Sequence, residues 1–414
     1  MKRISLFLFL VVLMAWASSS MAEVLDRPTG IRIGQRMTLR PYVSMSVGWD
    51  SNPAQSHSDA DGDLLWTINP GVGLDYKAEN WALRFNAFYN FRSYTRASYV
   101  QDRNRHSFGE DLNWAWSNAK RGEKGWALRL SEFFQQINMA DDLSYGNGSN
   151  YNGDRREFNV QALVERRFTE KVHANLDAHF YSLEYDNDMS ASYASYGWQR
   201  WSGALMGGYV LSPWTDILLT GGYQGYRQNN TGLYNVGNSS QGYTVQTGFG
   251  SYATDRISYR LLMGWSRFEY GEGFSSNDGF SYTLTANWKI SDTWHTMFVG
   301  SSYYQPSEQD MSSSTRVDSF AWGLAKSLVR AKLRGTLDMT YRHETREVAS
   351  TRSNSDYALD VVTARLGFNY VMNRFLTFFA YGEYLRSFND EADRDNGRWD
   401  YDRWRVTGGV KFTY

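Results

Sequence analysis

The connections between segments constrain this chain more than any single motif. From residue 38 onward, stretches of alternating apolar and polar residues are joined in turn by short and by long polar links. The short links fall at residues 77–80, 118–125, 168–171, 211–214, 253–256, 290–293, 328–332 and 371–374. The long ones fall at 51–63, 97–103, 140–154, 186–195, 228–239, 271–278, 307–314, 346–355 and 389–397. Seventeen links imply eighteen strands. Antiparallel hairpins place every second link on the same side, and membrane barrels have short turns on one side and long loops on the other. Helical spacing of apolar residues at i, i+3, i+4 and i+7 does not persist. The expected fold is therefore all-β: a transmembrane, outer-membrane, antiparallel β-barrel of about eighteen strands with both termini periplasmic.

Side-chain alternation supplies the two faces. Successive strand residues point to opposite sides of a sheet. In 81–94, Trp81, Leu83, Phe85, Ala87, Tyr89 and Phe91 oppose Arg84, Asn86, Asn90 and Arg92. In 172–181, Val172, Ala174, Leu176 and Ala178 oppose His173, Asn175, Asp177 and His179. A charged group facing lipid near the midplane costs about 2–4 kcal/mol, so the apolar faces are expected outward. A soluble sandwich would show the same alternation with the faces exchanged. Three local departures are expected to involve bulges: Glu132 inside an apolar face, the ambiguous register of 374–388, and Pro70 inside a strand near the periplasmic rim.

The last strand is the clearest. Trp404, Val406, Gly408, Val410, Phe412 and Tyr414 oppose Arg403, Arg405, Thr407, Gly409, Lys411 and Thr413. Val410, Phe412 and Tyr414 resemble the C-terminal signal read by the outer-membrane barrel assembly machinery, which more often ends in Phe.

At the other end, Lys2 and Arg3, the apolar run 6–16 and Ser20-Met21-Ala22 have the layout of a secretory signal peptide. Residues 1–22 are expected to be removed, 23–37 to form a short periplasmic segment and 38–414 to form the barrel. The chain has no cysteine, hence no disulfide framework. Its 16 Trp, 29 Tyr and 23 Phe suit a membrane–water interface. Its mean hydropathy of −0.56 suits a barrel whose loops and inner face are polar. With 43 basic against 44 acidic residues, no nucleic-acid partner is expected.

The stretches YVSMSVGWDSN (42–52) and LLWTINPGVGLDY (64–76), followed by a strand rich in Arg, Phe and Tyr, resemble the putative β-barrel porin type 2 superfamily. The resemblance covers the whole mature chain. It implies an outer-membrane channel of a Gram-negative bacterium, and, for members encoded beside exopolysaccharide operons, the exit pore of an exopolysaccharide or capsule machine. Expected partners are outer-membrane lipid and lipopolysaccharide, the assembly machinery and periplasmic polysaccharide-export components.

Sixteen to eighteen strands enclose an aqueous channel. Candidate lumen-lining residues are Arg84, Arg92, Arg129, His173, Asp177, His179, Arg260, Arg334, Arg342, Arg365, Arg403 and Arg405, with Lys411. Candidate interior acids are Glu157, Glu165, Asp177, Asp338 and Glu383. The cation surplus either favours anionic solutes or braces the wall through cross-strand pairs. Lumen aromatics such as Phe88 and Tyr181 either stack on sugars or pack locally. A general diffusion porin and a structural or adhesive barrel without transport remain alternatives, with an outer-membrane enzyme ranked last. No enzyme, cofactor or metal site is expected. The trio His173, Asp177 and His179 lacks a nameable Ser or acid partner, and the two histidines are about 20 Å apart along one strand. The 59–63 and 390–395 acidic runs read as solvated loops. A receptor plugged by a globular domain is not expected either, with only about fifteen residues between the signal and the barrel.

Overall fold

A computed structural model describes residues 30–414 apart from 53–61, 96–103, 119–122, 139–153, 187–197, 213, 229–238, 252–255, 271–275, 307–312, 330–331, 349–356 and 390–400. The signal-like segment and the two acidic runs, except Gly62 and Asp63, lie outside the described residues.

Strands account for nearly all of what is described. In chain order they are β1 (Ile31–Ile33), β2 (Met37–Asp50), β3 (Asp63–Lys77), β4 (Trp81–Tyr94), β5 (Asn104–Ser117), β6 (Gly125–Asn138), β7 (Asp154–Arg167), β8 (Val172–Asp186), β9 (Trp198–Ser212), β10 (Thr215–Gln228), β11 (Ser239–Ser251), β12 (Ile257–Tyr270), β13 (Asn277–Ser291), β14 (Trp294–Pro306), β15 (Ser313–Val329), β16 (Leu333–Val348), β17 (Tyr357–Val371), β18 (Leu376–Asn389) and β19 (Tyr401–Thr413). From β2 to β19 each strand pairs antiparallel with the next. The sheet closes where β19 meets β2, from Arg405 opposite Asp50 to Thr413 opposite Tyr42. This is the closed eighteen-stranded barrel that the rhythm of links requires, with the short links at one rim and the long ones at the other.

β1 stands apart from the ring. It lies in the segment expected as a tail, turns back at Gly34 and pairs with residues 37–39 of β2. Gly34 has φ of +68°, a left-handed turn conformation that glycine adopts without steric cost.

Exposure decides which face looks outward. Trp404 and Val406 are 57% and 60% exposed, while Arg403, which precedes Trp404 and points to the opposite face, is 8% exposed. A soluble sandwich would bury the first two. Outward aromatic side chains form two rows. Trp81, Trp126, Trp214, Trp288, Tyr370 and Tyr414 lie near the short-turn rim, and Tyr223, Tyr243, Trp265, Phe320, Tyr341 and Trp404 lie toward the long-loop rim. Such rows mark the two interfaces of a bilayer.

The three expected bulges are absent. Both ladders through β6 keep one register, so Glu132 faces outward with the apolar residues, diagonal to the outward Glu110. β18 likewise keeps one register, with Phe378 and Tyr384 outward and Phe379, Tyr381 and Glu383 inward. Its sequence was ambiguous because both faces carry aromatics. Pro70 lies in mid-strand rather than at a rim. The β3–β4 ladder skips Asn69 and Pro70 and resumes in the same register. Even-numbered residues of β3 point their backbone groups toward β4, as the bond from Thr95 N to Leu64 O shows. Proline therefore removes the donor that would face Tyr89 O, which leaves a gap without a bulge. Pro70→Val is expected to restore that bond and raise stability by about 1 kcal/mol, measured by urea unfolding in micelles; an unchanged or lower midpoint would contradict it.

Among the described residues the wall also parts between β13 and β14. β13–β14 pairing stops at Tyr282 opposite Ser302. Beyond that point β14 leans over the inner side of the neighbouring strands. Tyr304 joins Tyr226 and Phe268 in a buried cluster with Trp198 against it, and Gln224 Nε2 donates to Tyr304 O at 3.2 Å.

Candidate functional site

The lumen wall is the candidate site. Strand register places all twelve candidates, Lys411 and the five candidate acids on the inward face. Near the short-turn rim some of these side chains are solvated, while that of His173 is only 12% exposed. Arg84 is 45% and Arg129 62% exposed. Near the long-loop rim the inward side chains are buried: Asp50, Tyr94, Glu157, Leu183, Arg342, Leu359 and Arg403. The lumen is thus packed at the long-loop rim, and unevenly solvated at the other, where Met206, Leu218 and Leu262 form a buried inward cluster.

Most of the candidates brace the wall. Asp75 joins Arg40 at 2.9 Å and Arg84 at 3.1 Å. Arg129 meets Glu165 at 3.4 Å, and Arg342 meets Glu344 at 2.7 Å. Arg365 stands opposite Asp338, near Arg334, and Arg260 lies within electrostatic reach of Asp177.

The His173, Asp177 and His179 trio is dispersed. His173 Nε2 lies 3.2 Å from Asp216 Oδ2, two strands away. It reaches there across Gly208, where any side chain would collide with the imidazole. Asp177 accepts from Gln161 Nε2 at 3.0 Å. His179 lies 2.6 Å from Asn159 Oδ1 and 3.4 Å from Arg200 Nη2. Three separate wall contacts result. Tyr181 is 2% exposed and packs on Trp198, with ring centroids 4.8 Å apart, so it offers no face to a passing sugar.

The densest charge lies at the seam. Asp50, fully buried, accepts from Arg403 Nε at 2.9 Å and from Arg405 Nη2 at 2.9 Å, with a further contact from Arg403 Nη2. Arg92 stands within electrostatic reach of both arginines. The backbone is clasped at the same place. Ser51 N donates to Trp404 O at 2.8 Å, and Trp404 N donates to Ser51 Oγ at 2.8 Å. Asn52 Nδ2 donates to Asp402 O at 3.1 Å. Trp49-Asp50-Ser51-Asn52 is therefore the latch between first and last strands. Sequence reading noticed this stretch but not Asp50 as a lumen residue, and it missed Arg40, Asp75 and Arg200.

Two inward cations also lie over aromatic rings. Lys411 Nζ is 4.2 Å from the Tyr42 ring centre and Arg365 Cζ is 4.4 Å from that of Tyr381. With Arg403 and Arg405 they make a strip of cations and aromatic rings along the inner wall of β17, β18, β19 and β2.

Over residues 27–414 the sequence matches the family described as Putative beta-barrel porin 2. The chain belongs to that family. It is an outer-membrane β-barrel of porin type, in line with the resemblance carried by residues 42–52 and 64–76. No curated protein matches it. Among solved structures, the FrpB iron transporter of Neisseria meningitidis (F3-3 variant) is 11% identical with a TM-score of 0.48, covering 86% of this chain and 62% of its own. The chain thus spans under two thirds of that transporter's length. The apoprotein form of the F5-1 variant is 9% identical with a TM-score of 0.48, over 92% of this chain and 82% of its own. The siderophore receptor PirA of Pseudomonas aeruginosa is 8% identical with a TM-score of 0.41, over 94% and 81%.

Proposed function

We propose that this porin conducts anionic saccharide chains and serves as the exit pore of an exopolysaccharide or capsule machine. The supporting observation is the pair of inward cations held over aromatic rings, Lys411 over Tyr42 and Arg365 over Tyr381. Cations in a pore favour anions, and aromatic rings present flat apolar faces suited to sugars. In this reading the short-turn rim is periplasmic and receives solute from an export partner, and the packed long-loop rim opens outward. The signal peptide is cleaved, Val410, Phe412 and Tyr414 engage the assembly machinery, and the outward face meets lipid and lipopolysaccharide of a Gram-negative outer membrane. The barrel uses no cofactor in transport.

A general diffusion porin is the second reading, supported by the solvated Arg84 and Arg129 near the short-turn rim. The two differ in whether an acidic oligosaccharide occupies the pore. Orientation is tested separately. A thiol reagent that does not cross membranes should label Ser190→Cys and Asn238→Cys in intact cells and spare Ser291→Cys. Labelling of Ser291→Cys without permeabilisation would contradict the orientation.

A further inference from the structure

The outward face carries a constellation that transport does not use. On β16, Tyr341, His343 and Thr345 are alternate residues and share one face. Cross-strand register puts Asp360 of β17 opposite His343, and Arg316 and Asp318 of β15 opposite Thr345 and His343. That face is the outward one, since it also carries Phe320, Met339 and Tyr341, all over 40% exposed. Tyr341 and Phe320 belong to the aromatic row toward the long-loop rim. His343 and Thr345 are the next residues beyond it, at the level of lipid headgroups and ester linkages.

The hydrogen bonds run in a fixed order. His343 Nδ1 lies 2.9 Å from Asp360 Oδ1, and His343 Nε2 lies 3.1 Å from Thr345 Oγ1. An ionised carboxylate only accepts, so Nδ1 holds the proton and Nε2 presents its lone pair to the threonine hydroxyl. Asp360 is itself fixed by the Tyr341 hydroxyl, which donates to the same oxygen at 2.6 Å. The Asp360 side chain is 10% exposed and that of His343 33%. The carboxylate is thus sheltered and the imidazole accessible. Hydroxyl, imidazole and carboxylate in this order are the working parts of a nucleophile, a general base and the group that orients the base.

We propose that Thr345 and His343, positioned by Asp360, form an esterase site on the lipid-facing wall that acts on ester-linked acyl chains of membrane lipids. Thr345 Oγ adds to the ester carbonyl carbon while His343 Nε2 takes its proton. The carbon–alkoxide bond breaks, and His343 returns the proton to the leaving oxygen. This leaves an acyl ester on Thr345. Water then adds to that ester, with His343 again taking the proton and returning it to Thr345 Oγ. Each turnover consumes one water and releases a fatty acid and an alcohol. Arg316, opposite Thr345 in the ladder and 3.2 Å from Asp318 Oδ2, is the nearest cation in register to the charge that develops on the carbonyl oxygen. The site depends on the outward face alone and stands or falls separately from the pore.

The test uses the folded mature chain in two kinds of vesicle, glycerophospholipid alone and glycerophospholipid with lipopolysaccharide. Fatty-acid release is measured in both, and acylated Thr345 is sought by peptide mass spectrometry. Release confined to one kind of vesicle, or of one kind of acyl chain, identifies the lipid source. Thr345→Val and His343→Gln are expected to lower release at least ~100-fold, with the heat-modifiable gel mobility of a folded barrel retained. Thr345→Ser retains a hydroxyl, so the acyl adduct should be found on residue 345 of that variant. Asp360→Asn should lower release and the Thr345 adduct without changing that mobility. Should Thr345→Val fail to fold, wild type and Thr345→Ser decide. No release by folded wild-type protein from either vesicle, or equal release by folded Thr345→Val, would overturn the proposal.

Discussion

Replacing Asp50 by alanine is expected to destabilise the barrel by about 3–5 kcal/mol, the usual cost of removing one partner from a buried ion pair. Asp50 is fully buried and receives Arg403 and Arg405 together. Without it, two guanidinium groups, with Arg92 near them, face one another in a packed rim. The strain falls on the β2–β19 closure, where a barrel cannot redistribute pairing to a spare edge. Asp50→Asn keeps the shape but removes the charge, so it should fall between wild type and alanine. Urea unfolding in micelles, followed by gel mobility, measures both. A change under about 1 kcal/mol for Asp50→Ala, the size expected of a surface pair, would show that the latch is not a buried ion pair.

The second large effect concerns selectivity. Lys411→Glu combined with Arg365→Glu is expected to lower the anion-to-cation permeability ratio by roughly threefold or more, because pore-lining charge sets the local ion concentration. These two cations lie over aromatic rings, outside the latch, so their reversal leaves the Asp50 ion pairs intact. The same double change should weaken block by an acidic oligosaccharide. Reversal potentials in a salt gradient give the ratio. An unchanged ratio would place the selectivity-determining charge elsewhere in the wall.

Much of the architecture is legible in one sequence because a membrane barrel repeats two simple signals. Strand alternation has a period of two, and the links alternate short and long. Those signals assign Arg84 or Lys411 to a face without any knowledge of neighbours. They cannot assign neighbours across the closure. Asp50 and Arg403 are separated by 353 positions and meet only because β19 returns to β2. Alternation also fails where both faces carry aromatics, as in β18. Pro70 suggests a bulge from sequence because proline cannot donate to a ladder, yet a missing bond does not require an inserted residue. The trio His173, Asp177 and His179 stood out because its members share a strand face. Their real partners lie on other strands, Gln161 and Asn159 on the adjoining β7 and Asp216 two strands away on β10. His343 has the same explanation in reverse, since Asp360 is its neighbour only after β16 and β17 pair.

The most direct test of the central reading is single-channel conductance of the refolded mature chain in a planar bilayer, with acidic and neutral oligosaccharides added in turn. Steady conductance that the acidic oligosaccharide blocks, and that the neutral one blocks less, is the expected result. Conductance indifferent to both sugars, or none from fully folded protein, would contradict a pore for anionic saccharides.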